Sequence, residues 1–128
     1  MTLAVGILLM IAGAVEASVA QSQQISNAQD TVAMQTVRLR GLDTLNGTAK
    51  DLTMKVGATL QYGHLEIVAD TCRVPQAEPE SDAYAFLRIR DLREEAPRFS
   101  GWMFASSPAL SALDHPRYDV WVVSCTNN

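Results

Sequence analysis

The sequence predicts an all-β domain, a small antiparallel sandwich or barrel of about six to eight short strands with one short helical turn. Three observations carry this reading. Apolar residues alternate with polar ones in short runs, glycine and proline signals separate those runs, and only Ser107 to Pro116 carries helix signals.

The first residues stand apart from that pattern. Leu3 to Val15 is an uncharged apolar run with the length of a secretory h-region, shorter than the roughly 20 residues of a membrane span. Ser18 and Ala20 place small residues three and one positions before Gln21, so residues 1–20 read as a signal peptide cut after Ala20. No Lys or Arg precedes Leu3, and an uncleaved membrane anchor is the alternative. Cleavage implies a periplasmic protein with no integral membrane span. Residues 21–36 are polar, lack a sustained apolar period, and read as a flexible leader ahead of a single β domain at 37–128.

Strand periodicity begins at Val37. Val37 and Leu39 alternate with Arg38 and Arg40, and Leu52, Met54 and Val56 alternate with Asp51, Thr53 and Lys55, the pattern of two half-buried strands. Asn46-Gly47 between them is a hairpin signal. Gly57 and Gly63 bracket a short strand around Leu60 to Tyr62, and Leu65, Ile67 and Ala69 continue as a strand leading to Cys72. His64, beside Gly63, reads as a turn residue.

Arg73 to Asp82 holds two prolines and cannot continue a ladder, so it reads as an exposed loop. Its carboxylates Glu78, Glu80 and Asp82 are the residue types of a calcium site, but neither EF-hand spacing nor the turn glycine is present. Tyr84 to Arg90 resumes as a strand with Tyr84, Phe86, Arg88 and Arg90 on one face and Ala85, Leu87 and Ile89 on the other. The charged stretch Asp91 to Arg98 ends it. Ser107 is placed to cap a helical turn with Pro108 at its first position, Leu110 and Leu113 sharing one face, and Pro116 as the stop. Tyr118 to Ser124 is apolar on both faces, with Val120 and Val122 opposed to Trp121 and Val123, which predicts a central strand.

Charge and cysteine content bound the function classes. Removing residues 1–20 takes one acid, Glu16, and no base, leaving thirteen acids against ten bases, a balance that argues against nucleic-acid binding. Cys72 and Cys125 are the only cysteines, and an oxidising compartment would pair them as a structural disulfide; two free buried thiols are the alternative. With His64 and His115 as the only histidines, the spacings match no zinc signature, and no metal or other cofactor is expected.

Several motifs then form a familiar set. R-L-R-G-L-D at Arg38 to Asp43, V-G-x-x-x-x-Y-G-x-L-x-I at Val56 to Ile67, a cysteine, an acidic proline loop, and the long run from Phe99 to Val122 containing G-W-M-F and D-H-P-x-Y-D together resemble a bacterial exported family, domain-of-unknown-function family 2155, found mainly in alphaproteobacteria. The resemblance spans roughly Val37 to Cys125. It implies an envelope location, one small domain and a paired cysteine, and no activity or cofactor to carry over.

Two function classes remain. The first is a non-catalytic docking module for an envelope protein or membrane complex. Its expected contact residues are the aromatics Trp102, Phe104 and Tyr118 and the strand arginines Arg88 and Arg90; Phe99 and Trp121 belong to the same aromatic concentration. The alternative for these rings is that they fill the core, and for the arginines, with Arg93 and Arg98, that they form a solvated mixed-charge face. The second class is a periplasmic hydrolase in which Ser107, His115 and Asp119 converge, although no G-x-S-x-G elbow surrounds a serine.

Overall fold

A computed structural model of the chain describes residues 30–128. The expected signal peptide at 1–20, and the leader as far as residue 29, lie outside the described residues.

Among the described residues, eight strands form two antiparallel sheets. They are β1 (Thr31–Met34), β2 (Thr36–Asp43), β3 (Thr48–Lys55), β4 (Thr59–Tyr62), β5 (Leu65–Pro75), β6 (Tyr84–Asp91), β7 (Pro97–Phe104) and β8 (Tyr118–Thr126). A five-stranded sheet runs β1-β5-β6-β7, with β4 pairing beside β1 on the same side of β5, and a three-stranded sheet runs β3-β2-β8. The inward side chains of both meet in one apolar core that includes Val37, Leu39, Leu65, Ile67, Leu87 and Val122, all essentially buried. The architecture is the expected all-β sandwich.

Alternation places these residues. On β6, Ala85, Leu87 and Ile89 are buried while Tyr84 and Phe86 are half-buried and Arg88 and Arg90 exposed, because neighbouring side chains leave a strand on opposite faces. The Asn46-Gly47 signal closes the β2–β3 hairpin, with Gly47 at φ 66°.

Two strands change phase. Leu65, Ile67 and Ala69 point inward on β5, yet so do Cys72 and Val74, which have the opposite parity. The β5–β6 register accounts for this: Ala69 faces Leu87 and Thr71 faces Phe86, leaving Asp70 as an extra, bulged residue. The same happens on β8. Tyr118, Val120 and Val122 are buried, Val123 is the extra residue opposite the Arg38/Leu39 step of β2, and Cys125 points inward beyond it. Each cysteine reaches the interior only because a bulge precedes it. The two then join across the sandwich as a disulfide with a Cα–Cα separation of 5.7 Å.

The structure departs from expectation at several points. Arg73 to Pro75 do continue the ladder, as the end of β5 paired with Thr31 to Ala33, so the exposed loop begins only after Pro75. The leader does not extend to residue 36, because Thr31–Met34 pairs with Cys72 to Pro75 as β1 and Thr36 already belongs to β2. β7 falls partly in the stretch expected to be a charged strand end; its inward positions Phe99, Gly101 and Met103 include a glycine and its outward ones an exposed Trp102, which inverts the usual pattern. The one expected helical turn is present, as the 3₁₀ turn Pro108–Leu110, but it is shorter than expected and differently held: the Ser107 side chain makes no capping bond, extended backbone resumes at Ser111, and Leu110 is exposed while Leu113 is buried. Finally, among the described residues β8 is an edge strand and not a central one, with Val123 exposed and Trp121 half-buried on the outer face.

Candidate functional site

Two places in the molecule gather chemically versatile residues: one end of the sandwich and the outer face of the five-stranded sheet.

At the first, alternation carries two carboxylates inward. β2 buries Val37, Leu39 and Gly41 and then Asp43; β6 buries Ala85, Leu87 and Ile89 and then Asp91. Each sheet therefore ends in a buried acid, and each acid is clamped by an arginine. Arg93 donates to Asp91 through Nε at 3.0 Å, Nη2 at 2.8 Å and its backbone N–H at 2.9 Å. Arg117 donates to Asp43 through Nε at 3.0 Å and Nη2 at 2.9 Å. Such paired, charge-assisted bonds satisfy carboxylates that would otherwise be costly to bury.

His115 completes the cluster. Its Nδ1 accepts the backbone N–H groups of Arg117 and Tyr118 at 3.0 and 3.1 Å, which assigns the ring proton to Nε2, and Nε2 donates to Asp91 at 2.9 Å. The Arg93 guanidinium first, then the His115 ring and the Arg93 N–H, hold the Asp91 carboxyl far below the usual carboxylate range. Asp43 is likewise held low, chiefly by Arg117, with the Asn46 and Leu45 N–H groups adding. Tyr118 lies beneath, its ring 5.2 Å from His115 and 5.5 Å from Tyr62, with the Arg117 guanidinium carbon 5.0 Å from its centroid.

Glycine makes this packing possible at two points. A Cβ on Gly41 would stand 2.6 Å from the Tyr62 ring, and one on Gly63, whose φ is 57°, would overlap the Tyr118 hydroxyl. The three motif segments of the sequence thus converge here: Gly41 and Asp43 from the first, Tyr62 and Gly63 from the second, His115 and Tyr118 from the third. The cluster is a structural plug. Both ring nitrogens of His115 are engaged within it, and neither Ser107 nor Asp119 bonds to it. Sequence reasoning missed Asp91, which it assigned to the charged strand end. The signal was present in the alternation Ala85, Leu87, Ile89, Asp91.

The second place is open to solvent. Tyr84 and Phe86 of β6 stand directly opposite Phe104 and Trp102 of β7, and each pair packs edge to face at 5.8 and 5.5 Å between centroids. Trp102 is 38% exposed and Phe104 is half-buried. Beside them Arg73 of β5 donates from Nε and Nη2 to the Thr31 hydroxyl and carbonyl of β1. Thr31, Arg73, Tyr84, Trp102 and Phe104 line an open depression of about 640 Å³. Farther along the same face, Arg88 grips Asp70 with two bonds of 2.8 and 2.9 Å, and Arg90 bonds Glu66 at 3.0 Å. These contacts hold Asp70 below and both guanidinium groups above their ordinary titration ranges. The bulge that turns Cys72 inward also supplies the Arg88 partner.

Of the contact residues expected from sequence, Trp102, Phe104, Arg88 and Arg90 share this outer face. Tyr118 does not. At 3% exposure it belongs to the plug, because inward parity at the start of β8 places its ring under Arg117 and His115. Phe99 packs against the core, and Trp121 lies on the outside of the other sheet. Tyr84, Phe86 and Arg73 join the face, two of them as strand partners of the named aromatics.

Comparison with known proteins agrees with the motif reading. The chain is 27% identical over 92 residues to an uncharacterised protein of Rickettsia prowazekii (strain Madrid E), an alignment covering 69% of this chain and 59% of the relative. The chain thus spans less than two thirds of that relative's length. No solved structure matches at a significant level. A family model described as an uncharacterized protein conserved in bacteria (DUF2155) matches residues 37–125, most of the chain, from early β2 to the second cysteine, and the protein belongs to that bacterial family.

Proposed function

We propose that this protein is a non-catalytic binding domain of the bacterial envelope, exported to the periplasm, that docks onto an envelope protein or membrane complex through the outer face of its five-stranded sheet. The supporting observation is the row of four aromatic rings, Tyr84, Phe86, Trp102 and Phe104, held on the solvent side of β6 and β7 with the Arg73 guanidinium beside them. Rings with one side on a rigid sheet and the other toward solvent present large contact area at small entropic cost. Arg88 and Arg90 border this patch with their charges already matched by Asp70 and Glu66, so they serve as a polar rim and the aromatic end as its centre.

The hydrolase reading has no comparable support, since the one histidine in its triad has no ring nitrogen free for a serine. In-cell crosslinking of the exported protein, followed by mass spectrometry, tests the proposal. Capture of a reproducible envelope partner that is lost in Trp102→Ala/Phe104→Ala, with the unfolding midpoint retained, is the expected outcome. Undiminished capture by that variant would refute the assignment of this face.

A further inference from the structure

We propose that the free edge of β8 is a second interaction surface, which takes up an extended, basic segment of a partner protein as an added strand. β8 ends the three-stranded sheet, so among the described residues one of its sides has no neighbouring strand. The bond from the Thr44 N–H to the Arg117 carbonyl sets the period-two alternation of the β2–β8 ladder. By that alternation Asp119 and Trp121 bond toward β2, and the N–H groups of Tyr118, Val120 and Val122 point outward. His115 Nδ1 takes the first of these. Among the described residues, no hydrogen bond outside the strand ladders takes the other two.

Edge strands are commonly protected by lysine or proline. β3, the opposite edge of the same sheet, carries Lys50 and Lys55. β8 contains no Lys, Arg or Pro. The connection from β7 also stands off from it. A cavity of about 350 Å³ lies between Pro108, Ala109, Ala112 and the Asp119-Val120-Trp121 stretch, and another of about 320 Å³ lies between Glu80, Asp82, Ser106 and the Val123 to Thr126 stretch. The two follow one another along the strand.

Charge selects the occupant. Glu80, Asp82 and Asp119 border these cavities and no Lys or Arg lines either. Asp82 is turned to Ser106 and the Ala83 N–H, whereas Glu80 and Asp119 make no ion pair among the described residues. An incoming strand with lysine or arginine would meet these carboxylates while its backbone bonded Val120 and Val122. A second β8 would bring no lysine or arginine to these carboxylates.

The test uses the purified exported protein and a capped hexapeptide of alternating lysine and valine, with a glutamate-valine peptide as control. Amide exchange at Val120 and Val122, read by NMR, is expected to slow about tenfold or more with the lysine peptide in a saturable, salt-sensitive way. Glu80→Lys/Asp119→Lys, both exposed changes, should abolish that protection, and Trp102→Ala/Phe104→Ala should retain it, which separates this edge from the aromatic face. No protection at these two amides, equal protection by the glutamate peptide, or protection that rises with protein concentration alone would overturn the proposal; the last would mean that copies of this chain pair with each other.

Discussion

The two ends of the sandwich are closed by different chemistry. Near one end a covalent bond between Cys72 of β5 and Cys125 of β8 ties the five-stranded sheet to the three-stranded one. At the other, Asp43 of β2 and Asp91 of β6 are clamped by Arg117, Arg93 and His115 over the Tyr118 ring. A domain this small has a modest core, so how its sheets are held at their margins matters. The first closure depends on oxidation and ignores acidity. The second depends on ionised carboxylates and ignores reductant.

Breaking the covalent end should cost most. On the chain-entropy model, a crosslink spanning 53 residues stabilises by about 4 kcal/mol, so Cys72→Ala/Cys125→Ala should lower the urea midpoint by that equivalent, and reduced wild type should match it. At the other end, His115→Leu removes the acceptor of the Arg117 and Tyr118 N–H groups. An orphaned buried N–H costs about 1–3 kcal/mol, read in the same titration. Because the ends share no partner, the two losses should add within about 0.5 kcal/mol; a larger discrepancy would show that they are coupled.

Acid separates the ends further. Asp43 and Asp91 titrate lower in the folded chain than in the unfolded one, so the unfolded chain binds protons first as pH falls. Their stabilisation is complete above the ordinary carboxylate range, about pH 4, and is lost progressively below it. Urea midpoints measured from pH 7 to pH 3 should fall in wild type and fall less steeply in Asp43→Asn/Asp91→Asn. Gly63→Ala is expected to cost about 1–2 kcal/mol from its positive φ alone, and more from the Tyr118 overlap. Arg88→Ala, which breaks an ion pair exposed on both sides, should leave the midpoint unchanged.

The covalent end was legible in the sequence and the polar end was not. Two cysteines have only one way to pair, whereas the plug draws single residues from β2, β6 and the β7–β8 connection, none remarkable alone. Alternation recovered the inward rows of β2, β3, β5 and β6. It failed where a backbone event interrupted it. Arg98 is an extra residue between the Ile89 and Arg90 partners of β7, and Gly101 occupies an inward position, so that strand did not read as one. β8 read as central because Trp121 and Val123 are apolar, although among the described residues no further strand pairs beyond it. Of the contact residues, Trp102 and Phe104 were found by type. Their neighbours Tyr84, Phe86 and Arg73 needed the register.

The bulges at Asp70 and Val123 make this chain more sensitive to its length than to its letters. Exchanging the side chain at either position alters an exposed group, but deleting the residue flips every side chain beyond it to the other face of its strand. The cysteine would then look out at solvent while its partner still faced the core. Single-codon deletions at these two sites should therefore behave like loss of a cysteine, even though both thiols remain in the gene, and only a compensating insertion before the cysteine on the same strand would restore the pairing.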